Sequence, residues 1–323
     1  MIATGLMESR AAVFAKRSLR DYGIVWVTVL TFLLLVVTTP AFLSVGNLRN
    51  IMDQQALVMI VAVFVTIQLI AGAFDVSPSA IFLLSALVAL RIENLSGSVL
   101  LMLLAGIGCG VLCGLFNGIV VARLKIVTII ATLATSFILF GVGFLVSQGS
   151  IVRPSDPGVR SIAATRYLGL PITTWVALLM VIVAGVLLSR TRFGRQVYAT
   201  GGNPEAARLS GVSLVRVQLI TFALVGLGAG LAGTLNAART LSAQASDDFS
   251  LVFTVITAVI VGGTSIKGGS GAIWRTVVGV IFIALLGNGF NLNGIDPIYQ
   301  RIIQGVIILV AVALDAWSRE RPN

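Results

Sequence analysis

Ten apolar runs separated by short polar stretches constrain this chain more than any motif in it. They lie at about 24–37, 50–71, 76–90, 97–122, 127–147, 172–189, 217–237, 249–262, 272–290 and 299–316. A backbone crossing hydrocarbon must satisfy its own hydrogen bonds, and successive runs of this length do so as helices. The expected fold class is an all-α polytopic membrane protein with about ten transmembrane helices. The runs 76–90 and 249–262 fall short of the roughly 20 residues a straight crossing needs. They border Asp75 and Asp247–Asp248, and read as broken or tilted helices, or as helices that continue into their polar flanks. Composition agrees: 57% of residues are hydrophobic and 11% charged, where soluble domains carry about 25% charged residues.

The net charge of +10 would suit a nucleic-acid binder, but the positive residues stand in small groups at the ends of apolar runs. That is the pattern of loops kept on the cytoplasmic side of a membrane, so membrane lipid and no nucleic acid is expected. An even number of spans places both termini on one side. With that side taken as cytoplasmic, it gathers 15 of the 22 Lys and Arg residues, including those of loops 123–126, 190–216 and 263–271. The chain reads as one transmembrane domain, 1–323, with a basic cytoplasmic segment 1–22. Ile24–Val37 could pass for a signal peptide, but TTPAFLSVG lacks a small-x-small cleavage signal, and the run reads as an uncleaved anchor.

The absence of histidine excludes His-based acid–base or nucleophilic chemistry and His metal sites. Cys109 and Cys113, spaced i,i+4 in an apolar Gly-rich run, read as small packing residues, with no disulfide and no metal expected. Gly110, Gly114 and Gly118 form one helical stripe, and Gly226, Gly228, Gly230 and Gly233 recur in another span. Missing side chains let helix backbones approach closely in lipid.

The longest basic interruption of the second half is Arg190–Arg216. It holds a compact helix signal over about 204–210: Asn203 to cap, Pro204 for the first turn, Glu205 at the positive end and Gly211 to stop it. A docking helix on a membrane surface and a plain connecting loop both fit. Asp75 reads either as a group at a cavity or inner gate, or as a cap for the run that follows it. Gln68, Asn117, Thr132, Gln244, Asn288 and Asn291, in or beside apolar runs, suit contact with a polar solute or hydrogen bonds between helices; Phe253 is a further candidate for the path. Val261–Gly271, with Gly262, Gly263, Thr264, Gly268 and Gly269, reads as a tight inner turn. It is no phosphate loop, because Gly268 and not Ser or Thr follows Lys267. Any nucleotide hydrolysis that drives this chain belongs to another polypeptide.

Four stretches carry a family resemblance: GLFNGIVVARLKIVTIIATLAT from Gly114, FGRQVYATGGNPEAARLSGV from Phe193, VGGTSIKGGSGAI from Val261 and NGFNLNGIDPIYQRIIQGVIILVAVALD from Asn288. The chain resembles the ribose-type permeases of bacterial ABC importers over nearly all of its length after about residue 45. The resemblance implies a subunit that passes a small polar solute, foremost a monosaccharide, through the inner membrane without changing it covalently. It implies a second permease chain, identical or related, a periplasmic solute-binding protein docking near 148–171 and 238–248, and a cytoplasmic ATPase. ATP and magnesium would sit on that ATPase and no cofactor on this chain. Asn203, Pro204, Glu205, Ala206, Ala207, Arg208 and Gly211 fall on the family's coupling-loop pattern, Glu-Ala-Ala…Gly. Departures occur at Phe74 and Pro78, across 249–257, and at Trp274–Arg275, near plausible path or gate positions; relatives of the same family handle nucleosides, riboflavin or signalling sugars. The competing expectations are an ATPase-independent transporter or facilitator, a noncatalytic membrane scaffold and, least supported by the residues present, a membrane enzyme.

Overall fold

A computed structural model describes residues 10–319 of the chain. The first nine residues of the expected basic segment 1–22, and Glu320–Asn323, lie outside the described residues. All ten apolar runs are helical. Along the chain stand α1 (Arg10–Thr38, kinked at Tyr22), α2 (Val45–Ile70), α3 (Pro78–Ser96), α4 (Val99–Leu124) and α5 (Thr128–Ser147). After an irregular segment come α6 (Ser161–Ala164) and a two-stranded hairpin of β1 (Arg166–Tyr167) and β2 (Leu170–Pro171). Then follow α7 (Ile172–Arg190), α8 (Arg192–Gly202), α9 (Pro204–Leu209), α10 (Leu214–Thr240), α11 (Ser250–Val261), α12 (Ile273–Leu292) and α13 (Pro297–Arg319).

Among the described residues, seven helices are long and apolar enough to cross a membrane: α2, α3, α4, α5, α7, α10 and α12. The count of about ten is therefore not confirmed. The apolar part of α1, Tyr22–Thr38, and the 12-residue α11 are too short by that measure. At 1.5 Å per residue α11 rises only about 18 Å, against a hydrocarbon core of roughly 30 Å. The other short run behaves differently. It continues through its polar flank to Ser96, because Glu93 finds partners there and Gly97 ends the helix in the left-handed conformation.

Helix α10 is the centre of the packing, touching α4, α3 and α2. Its glycines explain how. A Cβ on Gly110 of α4 would run into the Gly226 carbonyl and stand 2.6 Å from Gly230 Cα. Gly228 takes the Phe64 ring of α2 into the same kind of gap, and Gly233 faces the Phe82 carbonyl of α3. Cys109 and Cys113 are free thiols beside a small apolar cluster between α3 and α5. The main core gathers α2, α7, α10, α11 and α12. Long stretches of α4, α5 and α7 keep exposed Leu, Ile, Phe and Val side chains, as a surface in contact with lipid or with partner subunits does.

Candidate coupling element and polar elbow

The 190–216 segment folds as two helices, not as a loop with one. Thr191 accepts a hydrogen bond from Gly194 N (3.1 Å) and starts α8, whose Gly194, Val197 and Thr200 are buried. Asn203 ends α8 and starts α9, its Oδ1 accepting from Ala206 N at 3.0 Å. Pro204 occupies the first turn, Ala206 offers the capped N–H, and Glu205 pairs with Arg208 at 2.7 Å on the exposed face. Ala207 is buried beneath them. The helix stops at Leu209, one residue before the expected end, because Ser210 turns out of helical geometry and Gly211 takes φ +82°. Leu209 is left 77% exposed, an apolar side chain at the tip of a basic surface. Sequence reading missed α8; its signal was the Thr191 cap followed by apolar residues at helical spacing, Phe193 and Val197.

Three segments meet beneath α8. The amide of Gly269 donates to the carbonyl of Ile70, the last residue of α2, at 2.8 Å. Gly201 stands so close that a Cβ there would strike the Ile70 carbonyl and lie 2.6 Å from Gly269 N; one on Gly268 would lie 2.9 Å from Gly72 Cα. Gly268 and Gly269 both have positive φ, as has Gly263, while a Cβ on Gly262 would lie 2.6 Å from the Arg275 carbonyl of α12. Thr264 is buried with its hydroxyl unpartnered. Tyr198 of α8 donates to the Gly271 carbonyl (2.8 Å); burial pushes its phenol above its ordinary value, so it remains a donor. The loops 72–75, 190–216 and 263–271 thus share one end of the molecule, with α8 resting on the turn that links α11 to α12.

Four of the eight proposed path residues come together. Between α2 and α3 the chain unwinds over 71–77 yet stays buried apart from Gly72 and, in part, Phe74. Asp75 accepts from Ser77 N (2.8 Å), the Ser77 hydroxyl (2.7 Å) and Gln68 Nε2 (3.1 Å). Asn117 of α4 donates to Ser77 Oγ (2.8 Å), and Thr132 of α5 accepts from Val76 N (3.1 Å). Irregular backbone within such a bundle survives only when its polar groups are met in this way. The carboxylate is 3% exposed, so this elbow lines no open passage in the present conformation. Asp75 is not the cap of α3: Ser77 holds that position without a side-chain bond, and the acid instead turns the chain two residues ahead of it, inside a sealed polar pocket. Gln68 Oε1 and Asn117 Oδ1 are left without a partner.

The other four lie apart. Asn288 and Asn47 exchange two amide hydrogen bonds, 2.9 and 2.7 Å, and tie α12 to α2. Asn291 accepts from Gln300 at 2.9 Å. Gln244 is exposed in the segment between α10 and α11. Phe253, exposed on α11, lines a cleft of about 300 Å³ with Asp248, Phe249, Ser250, Arg301 and Gln304. Two acids that sequence reading did not single out organise the opposite end. Glu93 is buried and accepts from Ser155 N, Ser155 Oγ and Asp156 N at 2.8, 2.8 and 3.2 Å, holding down the 148–171 segment. Asp53 accepts from Thr173 (2.7 Å) and Arg239 (3.4 Å). An acid inside a long helical run was the available signal for Glu93.

Residues 47–312 match the family described as "Branched-chain amino acid transport system / permease component". The chain is 35% identical over 300 residues to the L-arabinose transport system permease protein AraH of Escherichia coli, covering 93% of this chain and 92% of that one. It is 35% identical over 295 residues to the ribose import permease protein RbsC of Escherichia coli (88% and 91%). With RbsC of Bacillus subtilis it shares 36% over 290 residues (88% and 90%). No solved structure matches the chain. Matched from the second helix almost to its end, and sharing a third of its residues with these permeases, the chain belongs to the ABC importer permease family, in the branch of the arabinose and ribose permeases.

Proposed function

We propose that the protein is the transmembrane subunit through which a monosaccharide, delivered by a periplasmic binding protein, enters the cell. The single observation that carries this reading is identity at 35% over nine-tenths of the chain with an arabinose permease and a ribose permease. The α8–α9 elbow supports the coupling half of it. A capped helix with a buried Ala207, an exposed Leu209 and a rim of arginines suits the groove of a cytoplasmic ATPase, which would hold ATP and magnesium. This chain carries out no covalent chemistry. Because α8 touches the Ile70–Gly269 junction, a pull on α9 reaches α2, α11 and α12 together.

In this reading α1, α11 and α13 complete ten crossings of one transmembrane domain, both termini are cytoplasmic and the α8–α9 end faces inward, as 15 of 22 basic residues favour. A second permease chain would complete the path. The Phe253 cleft suits a sugar: aromatic faces for its apolar ring face, with Asp248, Arg301 and Gln304 for its hydroxyls. The elbow of Gln68, Asp75, Asn117 and Thr132 would act as a gate support. The test is uptake by proteoliposomes holding this chain with its binding protein and ATPase, with labelled arabinose, ribose, hexoses and leucine offered in turn. ATP-dependent accumulation of one sugar is expected. Uptake of leucine alone, or sugar equilibration that survives removal of ATP, would overturn the reading.

A further inference from the structure

A cleft of about 670 Å³ opens between α7 and α12, at the end that carries α8. Its wall on α7 runs from Val181 to Arg190, a rise of about 14 Å. That is half of a roughly 30 Å hydrocarbon core, the depth of one leaflet. The lining is apolar along its length, with Val186, Ile273 and Val278, and has an open floor at Gly185, where an added Cβ would meet nothing within 4 Å. The mouth has a different chemistry. Arg190, Tyr198 and Trp274 converge there, and the Arg275 guanidinium stacks over the Trp274 ring at 5.3 Å from its centroid. Among the described residues, neither arginine meets a carboxylate. Trp and Tyr at such a level are what a headgroup region selects, and Arg190 in the lining, with Arg275 stacked on the lining Trp274, suits a phosphate.

We propose that this cleft binds one anionic glycerophospholipid, an acyl chain lying past Gly185 and the phosphate held by Arg190 and Arg275. In length the apolar wall matches the acyl region of one leaflet, and the positive charge stands at its end. The site is separate from the Phe253 cleft and does not depend on which sugar is carried. Through Tyr198, which lines the mouth and also bonds the Gly271 carbonyl, the lipid head would touch the junction beneath the coupling helices.

Native mass spectrometry of the purified full-length chain, exchanged with equal amounts of phosphatidylglycerol and phosphatidylcholine of the same acyl chains, tests this. One phosphatidylglycerol per chain should be retained in preference to phosphatidylcholine. In the Arg190→Gln/Arg275→Gln double variant the preference should fall by roughly thirtyfold, the value of two basic residues at a lipid surface. Gly185→Trp sets a large side chain on the floor, where its Cβ meets nothing within 4 Å, and should lose the retained lipid of either kind. Equal retention of both lipids by the unaltered chain, or a lipid that survives Gly185→Trp, would overturn the proposal. So would efficient cross-linking of two copies through Gly185→Cys in membranes, because the cleft would then be covered by a second chain.

Discussion

Replacing Asp75 in two ways separates the geometry of the elbow from its charge. Asp75→Ala removes an acceptor that serves Ser77 N, the Ser77 hydroxyl and Gln68 Nε2. The hydroxyl can rotate to another acceptor, but the amide N–H and the Gln68 NH2 cannot. Gln68 and Ser77 are both fully buried, so water does not replace the lost bonds. Each stranded buried donor costs about 1–3 kcal/mol, which puts Asp75→Ala at about 2–6 kcal/mol. Asp75→Asn keeps the oxygen that serves Ser77. A rotation of the Gln68 amide then turns its unpartnered Oε1 toward the new NH2 and strands only the Gln68 NH2, so this variant loses about 1–3 kcal/mol, roughly half the loss of Asp75→Ala. Thermal unfolding of the purified protein in one detergent, followed by circular dichroism, reads the difference. ATP-driven uptake should survive Asp75→Asn and fail in Asp75→Ala. A charge-neutral variant as unstable as Asp75→Ala would show that the negative charge itself holds the elbow, and the hydrogen-bond account would fall.

Two further outcomes follow from the packing. Gly110→Ala forces a methyl against the α10 backbone and should destabilise by about 1–3 kcal/mol, whereas Gly108→Ala, with nothing within 4 Å, should be neutral or stabilise by up to about 1 kcal/mol; equal effects in the unfolding assay would remove the close-approach explanation. Leu209→Glu should leave stability within about 0.5 kcal/mol while weakening capture of the ATPase at least about tenfold, or about 1.4 kcal/mol, and undiminished co-purification would take α9 out of the interface.

Helix positions were legible because each apolar run carries its own signal, and so were the cap of α9 and the closeness expected of the Gly110 stripe. The count of crossings was not, since hydropathy marks an apolar run without saying whether a helix as short as the 12-residue α11 is long enough to span. Within the candidate site, Asp75 stood out as an acid beside apolar runs. That Asn117 and Thr132, 42 and 57 positions later, bond its neighbours Ser77 and Val76 depends on how α3, α4 and α5 pack, and no local pattern encodes that. The same limit hid the pairing of Asn47 with Asn288. In sequence Asn288 suits a solute contact or a bond between helices, and nothing marks Asn47; in three dimensions each consumes the other's hydrogen bonds.

The glycine contacts also bear on how this molecule can change over generations. Where Gly110 faces Gly226 and Gly230, and where Gly201 faces Gly269, both sides of the contact already carry the smallest residue there is. In an ordinary core a large replacement can be rescued by a smaller neighbour. Here no smaller neighbour exists, so a selection for second-site suppressors of Gly110→Ala or Gly201→Ala should never return a change at the facing glycine. Rescue must come from residues that set the spacing of the helices themselves, which makes these seams fixed points around which the rest of the sequence drifts.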